Sequence, residues 1–170
     1  ASKMLGAVAE MQGLDVKLSE VHGMSQRGGS VVTCVKIADK GMTIASPIID
    51  EGEAEIILAF EQLEAVRWLS FLKKDGTVIM NTQRINPMPV ISGSEIYPEG
   101  ILEAMRASNI NVIALDALGI AEECGTNKAV NIVLIGVLST ITKHIDKDVW
   151  VEALNSVIPQ KLYKINEMAF

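Results

Sequence analysis

Apolar residues recur along the chain at two alternating periods. Met4, Leu5, Val8 and Met11 stand at helical spacing and predict a helix over Ala1 to Gln12. After Gly13, Asp15 to Val21 predicts a strand. The polar loop His22 to Gly29 separates it from a second strand, Ser30 to Ile37, rich in β-branched residues (Val31, Val32, Thr33, Val35, Ile37). Asp39–Lys40–Gly41 predicts a turn, with Met42 to Ser46 pairing back before Pro47. An acidic turn, Asp50–Glu51–Gly52–Glu53, leads into Ala54 to Phe60, an apolar run of buried-strand length.

The second half keeps the alternation and then turns helical. Glu61 to Leu72 predicts an amphipathic helix with Leu63, Val66, Leu69 and Leu72 on one face, Asp75–Gly76 a turn, and Thr77 to Thr82 a strand. Pro87, Pro89 and Pro98 mark an irregular stretch before a helix from Glu99 to Ser108. Asn111 to Leu115 is a further strand. Helices follow over Ala117 to Cys124, Lys128 to Thr142 and Asp148 to Val157, with a C-terminal piece beyond Pro159. The pattern predicts one α/β domain over 1–170: three layers, a mixed, mostly parallel sheet flanked by helices, and a helical C-terminal part. A domain of this class that opens on a helix implies a strand and loop before it.

Composition narrows the classes. The 170 residues are enough for one domain with a real core, and 49% hydrophobic content with only 4% aromatic makes that core aliphatic. A formal charge of −6 repels phosphate backbones, which argues against a nucleic-acid partner. Cys34 and Cys124 are isolated, as expected of a reducing compartment and not of a disulfide scaffold. The longest apolar run, Ile132 to Leu138, falls far short of the roughly 20 residues that span a bilayer. The start lacks the pattern of a signal peptide. The expectation is a cytoplasmic protein with no membrane partner.

Chemistry-bearing motifs are few. Neither GxxxxGK[ST], GxGxxG nor GxSxG occurs, and two lone cysteines with His22 and His144 offer no metal-ligand spacing. The unusual segment is SEVHGMSQRGGS, Ser19 to Ser30. Gly28 and Gly29 permit positive φ and close backbone approach, Arg27 offers a planar fork of donors for an anion, and His22 titrates near neutrality. It is read either as a ligand-binding loop or as a polar surface connection; being strand-to-strand, it is not a nucleotide cradle at a helix start. Asn127 and Asn131, in Gly125–Thr126–Asn127–Lys128 and just beyond, lie four apart at a helix start. Either their amides face a ligand or partner, or Thr126 or Asn127 caps the helix. Asn81–Thr82–Gln83–Arg84 follows a strand's carboxyl end, where α/β sheets place ligands. The acids Asp50, Glu51, Glu53 and Glu55 read as a solvated turn, and Trp68 and Trp150 as core or interface anchors.

The run S-E-V-H-G-M-S-Q-R-G-G-S-V (Ser19 to Val31) is very similar to the signature of the beta subunit of indolepyruvate ferredoxin oxidoreductases, a gamma-type domain of the 2-oxoacid:ferredoxin oxidoreductase superfamily. Further similar stretches are E-G-E-A-E-I-I-L-A-F-E-Q-L-E-A (Glu51 to Ala65), G-T-V-I-M-N-T (Gly76 to Thr82) and G-T-N-K-A-V-N (Gly125 to Asn131). Pyruvate and 2-oxoglutarate relatives carry a loop closer to G-P-E-x-R-G-G. The resemblance implies a subunit without cofactors of its own, partnered by a large alpha subunit that holds thiamine diphosphate and iron–sulfur clusters. At the level of the complex it implies a 2-oxo acid, CoA and ferredoxin. It makes Glu20, His22, Ser25, Gln26, Arg27, Gly28 and Gly29 the expected loop for substrate, CoA or partner, with Asn127 and Asn131 second. No catalytic or metal-binding residue is expected. Two alternatives stay open: the gamma subunit of a pyruvate, branched-chain or 2-oxoglutarate enzyme, and a purely structural assembly subunit. One departure is the family's G-x-G-G-Q-G loop before the first helix, which does not occur in this sequence.

Overall fold

The structure, a computed structural model, describes residues 1–22 and 30–170. Helix α1 (Ser2–Met11) buries Met4, Val8 and Ala9. It stops at Gly13, whose φ of +67° lets the next residue turn back so that Leu14 N donates to Ala9 O at 2.8 Å. Strands β1 (Asp15–His22) and β2 (Val31–Ala38) pair antiparallel from Asp15↔Ala38 to His22↔Val31 and form their own two-stranded sheet.

The main sheet is parallel, in the order β3 (Ala54–Ala59), β4 (Leu72–Asn81), β5 (Asn111–Leu115). Successive β4 side chains serve opposite faces, and this divides the core in two. Val78 and Met80 pack with Ala65 of α2 (Gln62–Arg67) and with Ile101 and Met105 of α4 (Ile101–Ala107), a helix that follows the short α3 (Met88–Ile91). Ile79 points the other way, into a larger cluster with α1, α5 (Ala117–Glu123), α6 (Val130–Ile141), α7 (Lys147–Val157) and α8 (Gln160–Ala169). The α/β reading therefore holds, with helices on both faces of the parallel sheet and a helical C-terminal part. In α6 the run Ile132 to Gly136 is wholly buried, as suits a helix with no polar face. Among the described residues no helix is long and apolar enough to cross a membrane.

Three local expectations are corrected. Met42 to Ser46 forms no strand: the segment joins neither described sheet, and Met42 is exposed. The helix expected over Glu61 to Leu72 ends at Arg67 and tightens into a 3-10 turn, Leu69–Phe71, which brings the Trp68 and Phe71 rings to 5.0 Å. Asp75–Gly76 is a bulge inside β4, not a turn before it. Asp75 adopts φ +64°, and the register jumps from Ala54↔Leu72 to Ile56↔Thr77.

Gly76 is the residue that lets β4 pass β3 at this bulge. A Cβ there would stand 2.7 Å from Leu72 Cδ1 and 3.0 Å from the Glu55 carbonyl oxygen. Gly76→Ala is expected to destabilise the fold by about 1–3 kcal/mol through overpacking. A lowered midpoint in chemical or thermal unfolding checks this; an unchanged midpoint would mean that β3 and β4 separate freely at the bulge.

Candidate functional site

The carboxyl ends of β3, β4 and β5 are held by a buried polar cluster. Asn81, the last residue of β4, is fully buried. Its Nδ2 donates to the Phe60 carbonyl beyond β3 and to Gln83 Oε1, both at 3.2 Å. Its Oδ1 accepts from Ala117 N, the first residue of α5, at 3.1 Å and from Gln83 N at 3.4 Å. One amide thus ties two strand ends to the helix that leaves the third.

Beside it Glu61 is nearly as deeply buried, at 6% exposure. Its Oε2 accepts from Glu64 N at 3.0 Å, capping α2, and its Oε1 accepts from Ile85 N at 3.3 Å and from the Tyr97 hydroxyl. The Tyr97 oxygen in turn accepts from Leu63 N at 3.2 Å. Burial, then the bond to Glu61, pushes the Tyr97 phenol well above its ordinary range. The Arg84 guanidinium lies 4.2 Å above the Tyr97 ring, donates to Asn86 Oδ1 at 3.0 Å and pairs with Glu99 at 2.9 Å. Residues 84–99 therefore form a strap pinned across this end of the sheet by Tyr97.

The start of β2 meets the same end of the sheet. Ser30 Oγ donates to Glu64 Oε2 at 2.5 Å, which ties the start of β2 to α2 one turn beyond Glu61. Glu20 stands exposed on β1 opposite Thr33, and the backbone of His22 closes the pairing with Val31. Ser25, Gln26, Arg27, Gly28 and Gly29 lie outside the described residues. The helix after Gly125 begins as a 3-10 turn, Asn127–Ala129, with Thr126 Oγ1 accepting from Lys128 N at 3.2 Å. The cap is thus Thr126. Asn127 lines an open depression of about 380 Å³ with Glu122, Gly125 and Thr126, whereas Asn131 is half-buried in the first turn of α6. The acidic turn spreads onto separate partners, Glu53 to Lys36 at 3.9 Å and Glu55 to Lys73 at 2.7 Å. Among the described residues no group of three or more His, Cys, Asp or Glu is placed to hold a metal ion.

Residues 1–170 match the family of pyruvate ferredoxin/flavodoxin oxidoreductases. The chain belongs to that family. It is 40% identical over 139 residues to the indolepyruvate oxidoreductase subunit IorB of Archaeoglobus fulgidus, a match covering 81% of this chain and 67% of the relative. In fold it is similar to the gamma subunit of a keto/oxoacid ferredoxin oxidoreductase from Geobacter sulfurreducens (TM-score 0.68, 20% identity, 99% of this chain and 83% of that one). A 2-oxoglutarate:ferredoxin oxidoreductase from Magnetococcus marinus, solved with 2-oxoglutarate, coenzyme A and succinyl-CoA bound, contains the same fold (TM-score 0.67, 15% identity). There the match covers 99% of this chain but 26% of the longer one. The same fold is thus found both as a separate subunit and as part of a larger polypeptide.

Sequence reasoning did not find Glu61 or Tyr97. The available signals were a Glu before a helix with Glu64 three residues on, and one of the chain's two tyrosines in an otherwise Pro-, Gly- and Ser-rich stretch. Tyr97→Phe removes the donor to Glu61 and the acceptor of Leu63 N, and is expected to cost about 1–3 kcal/mol. The raised phenol adds a pH signature. Its stabilisation is fully present below the unfolded tyrosine value of about 10 and declines as pH rises above it. Denaturant unfolding of both proteins from pH 7 to 11 should give a constant difference at first and a shrinking one above about pH 10.

Proposed function

We propose that this chain is the single-domain, non-redox subunit of an indolepyruvate:ferredoxin oxidoreductase. The complex oxidises an aryl 2-oxo acid with CoA and oxidised ferredoxin to acyl-CoA, CO2 and reduced ferredoxin. The observation that carries this reading is the 40% identity to a protein named as an indolepyruvate oxidoreductase subunit, over four fifths of the chain. Thiamine diphosphate and iron–sulfur clusters belong to the large alpha subunit in this proposal. The described residues of this chain offer no donor set that fits a cluster, so no redox step is assigned to them.

The chain's own contribution in this reading is the hairpin loop. Arg27 anchors an anion, the carboxylate of the 2-oxo acid or a phosphate of CoA, while Gly28 and Gly29 let the backbone come close. Glu20, His22, Ser25 and Gln26 complete the loop, and Asn127 and Asn131 form a second, weaker contact to ligand or partner. Ser30 bonded to Glu64 supports this placement, because it holds the loop's downstream end at the carboxyl end of the sheet. In this reading the electrons that reduce ferredoxin come from the oxidative decarboxylation of the 2-oxo acid, CoA takes the acyl group, and the chain is proposed to act in the cytoplasm.

Co-expression with a large alpha subunit encoded in the same genome, followed by CoA-dependent, viologen-coupled oxidation of indolepyruvate and of pyruvate, tests the proposal. Turnover by the pair alone, with indolepyruvate preferred, is expected. A pair that prefers pyruvate, a branched-chain 2-oxo acid or 2-oxoglutarate would overturn the substrate. In the active pair Arg27→Ala should raise KM for CoA or the 2-oxo acid about tenfold or more, the loss of one charge-assisted contact. Unchanged kinetics in an intact complex would make the loop a packing element and the chain a purely structural subunit.

A further inference from the structure

The strap over residues 84–99 buries Tyr97 and packs Val90 inward but leaves four large apolar side chains exposed. Ile85, Met88, Ile91 and Ile96 are 55%, 73%, 68% and 90% exposed, and Ile96 is the most exposed large hydrophobic residue described. Four such exposed side chains in one short segment are more than the single scattered hydrophobic residues that are normal on a surface. The presentation is built, not frayed. Tyr97, between Ile96 and Pro98, is buried on Glu61, and Ile85 N donates to the same carboxylate. The Pro89 carbonyl accepts from Ser92 Oγ at 3.1 Å, Ser94 Oγ at 3.0 Å and the backbone amides of Ser94 and Glu95 at 3.0 and 3.1 Å. A loop already folded in this way loses little entropy on docking.

The charges around the patch choose its occupant. Glu95, Glu99 and Glu103 lie on or beside the strap against Arg84, whose guanidinium is already paired with Glu99, and the whole chain carries −6. The Glu99 side chain is 84% exposed. A second copy docked patch to patch would set acidic rim against acidic rim. A partner with an apolar centre and a basic rim satisfies both features, the anatomy of a protein–protein interface. The patch alone is smaller than the ~800 Å² that each side of a standard interface buries, so it serves as the centre of a larger contact.

We propose that the strap surface formed by Ile85, Met88, Ile91 and Ile96 is a docking surface for the large alpha subunit, which meets it with an apolar groove edged by Lys or Arg. This rests on the reading of the chain as a subunit of an indolepyruvate:ferredoxin oxidoreductase. The pinned strap presents the partner with a fixed surface at the end of the sheet where the hairpin loop is anchored.

The test uses the full chain and its large subunit, with affinity measured by interferometry and the fold checked by circular dichroism. Met88→Asp/Ile96→Asp should keep the wild-type spectrum and weaken the pair at least tenfold. Met168→Asp, which alters an exposed apolar residue on α8, should leave it unchanged. Added salt should also weaken the wild-type pair. Equal affinity of the Met88/Ile96 variant and wild type would overturn the surface assignment while leaving the subunit reading intact. Failure of the wild-type chain to bind the large subunit would instead overturn the subunit reading. A wild-type chain that dimerises alone, and loses that with the double substitution, would assign the surface to a second copy and overturn the proposed partner.

Discussion

A parallel sheet leaves a problem at its carboxyl end: each strand stops with backbone groups that have lost their ladder, while the helices that follow start with amides that have no partner. Asn81 answers several of these demands at one point. Its two amide hydrogens reach Phe60 O and Gln83 Oε1, and its carbonyl oxygen takes Ala117 N and Gln83 N. An aspartate would lack the donors and a leucine both kinds of partner. Either would leave buried backbone groups unpaired, at about 1–3 kcal/mol each. Because the direction of α5 and the path of residues 82–84 are set here, the position of the strap depends on the same side chain.

The layered architecture was legible because period and burial agree. Val78 and Met80 face one set of helices and Ile79 the other, and that alternation is written in the chain. Pairing partners were less legible. Nothing in the β1 or β2 sequence distinguishes a hairpin that joins the main sheet from one that stands on its own, since that choice depends on which edge lies alongside. The helix after Glu61 was overextended because Leu69 and Leu72 fit a 3.6 period. The Trp68–Phe71 contact and the bond from Gly52 N to Ser70 O favour a tighter turn instead.

The site divided in the same way. The hairpin loop was conspicuous in sequence because glycine, guanidinium and imidazole stand together between two apolar strands. The Glu61–Tyr97–Asn81 cluster was inconspicuous because its residue types are ordinary, and only tertiary contact makes them a unit. Polar residues buried in this manner specify where loops run, and a pattern of apolar positions carries no record of that.

Charge at the carboxyl end of the sheet bears on where an anionic ligand would be held. Arg84 already has three claims on it: the Tyr97 ring, Asn86 and Glu99. The Glu61 carboxylate is enclosed by the Tyr97 hydroxyl and the amides of Glu64 and Ile85, which leaves it no open direction toward a substrate. The cluster is therefore a fixture and not an acid–base device. Arg84 is thus committed within the strap, and the anion anchor proposed for this chain is Arg27 instead. The strap's apolar face, in the docking proposed for it, acts by excluding water. The fixed polar cluster is separate in kind from the anion-binding role proposed for the loop and the docking role proposed for the strap, a division that suits the proposed subunit, which completes a site without itself catalysing.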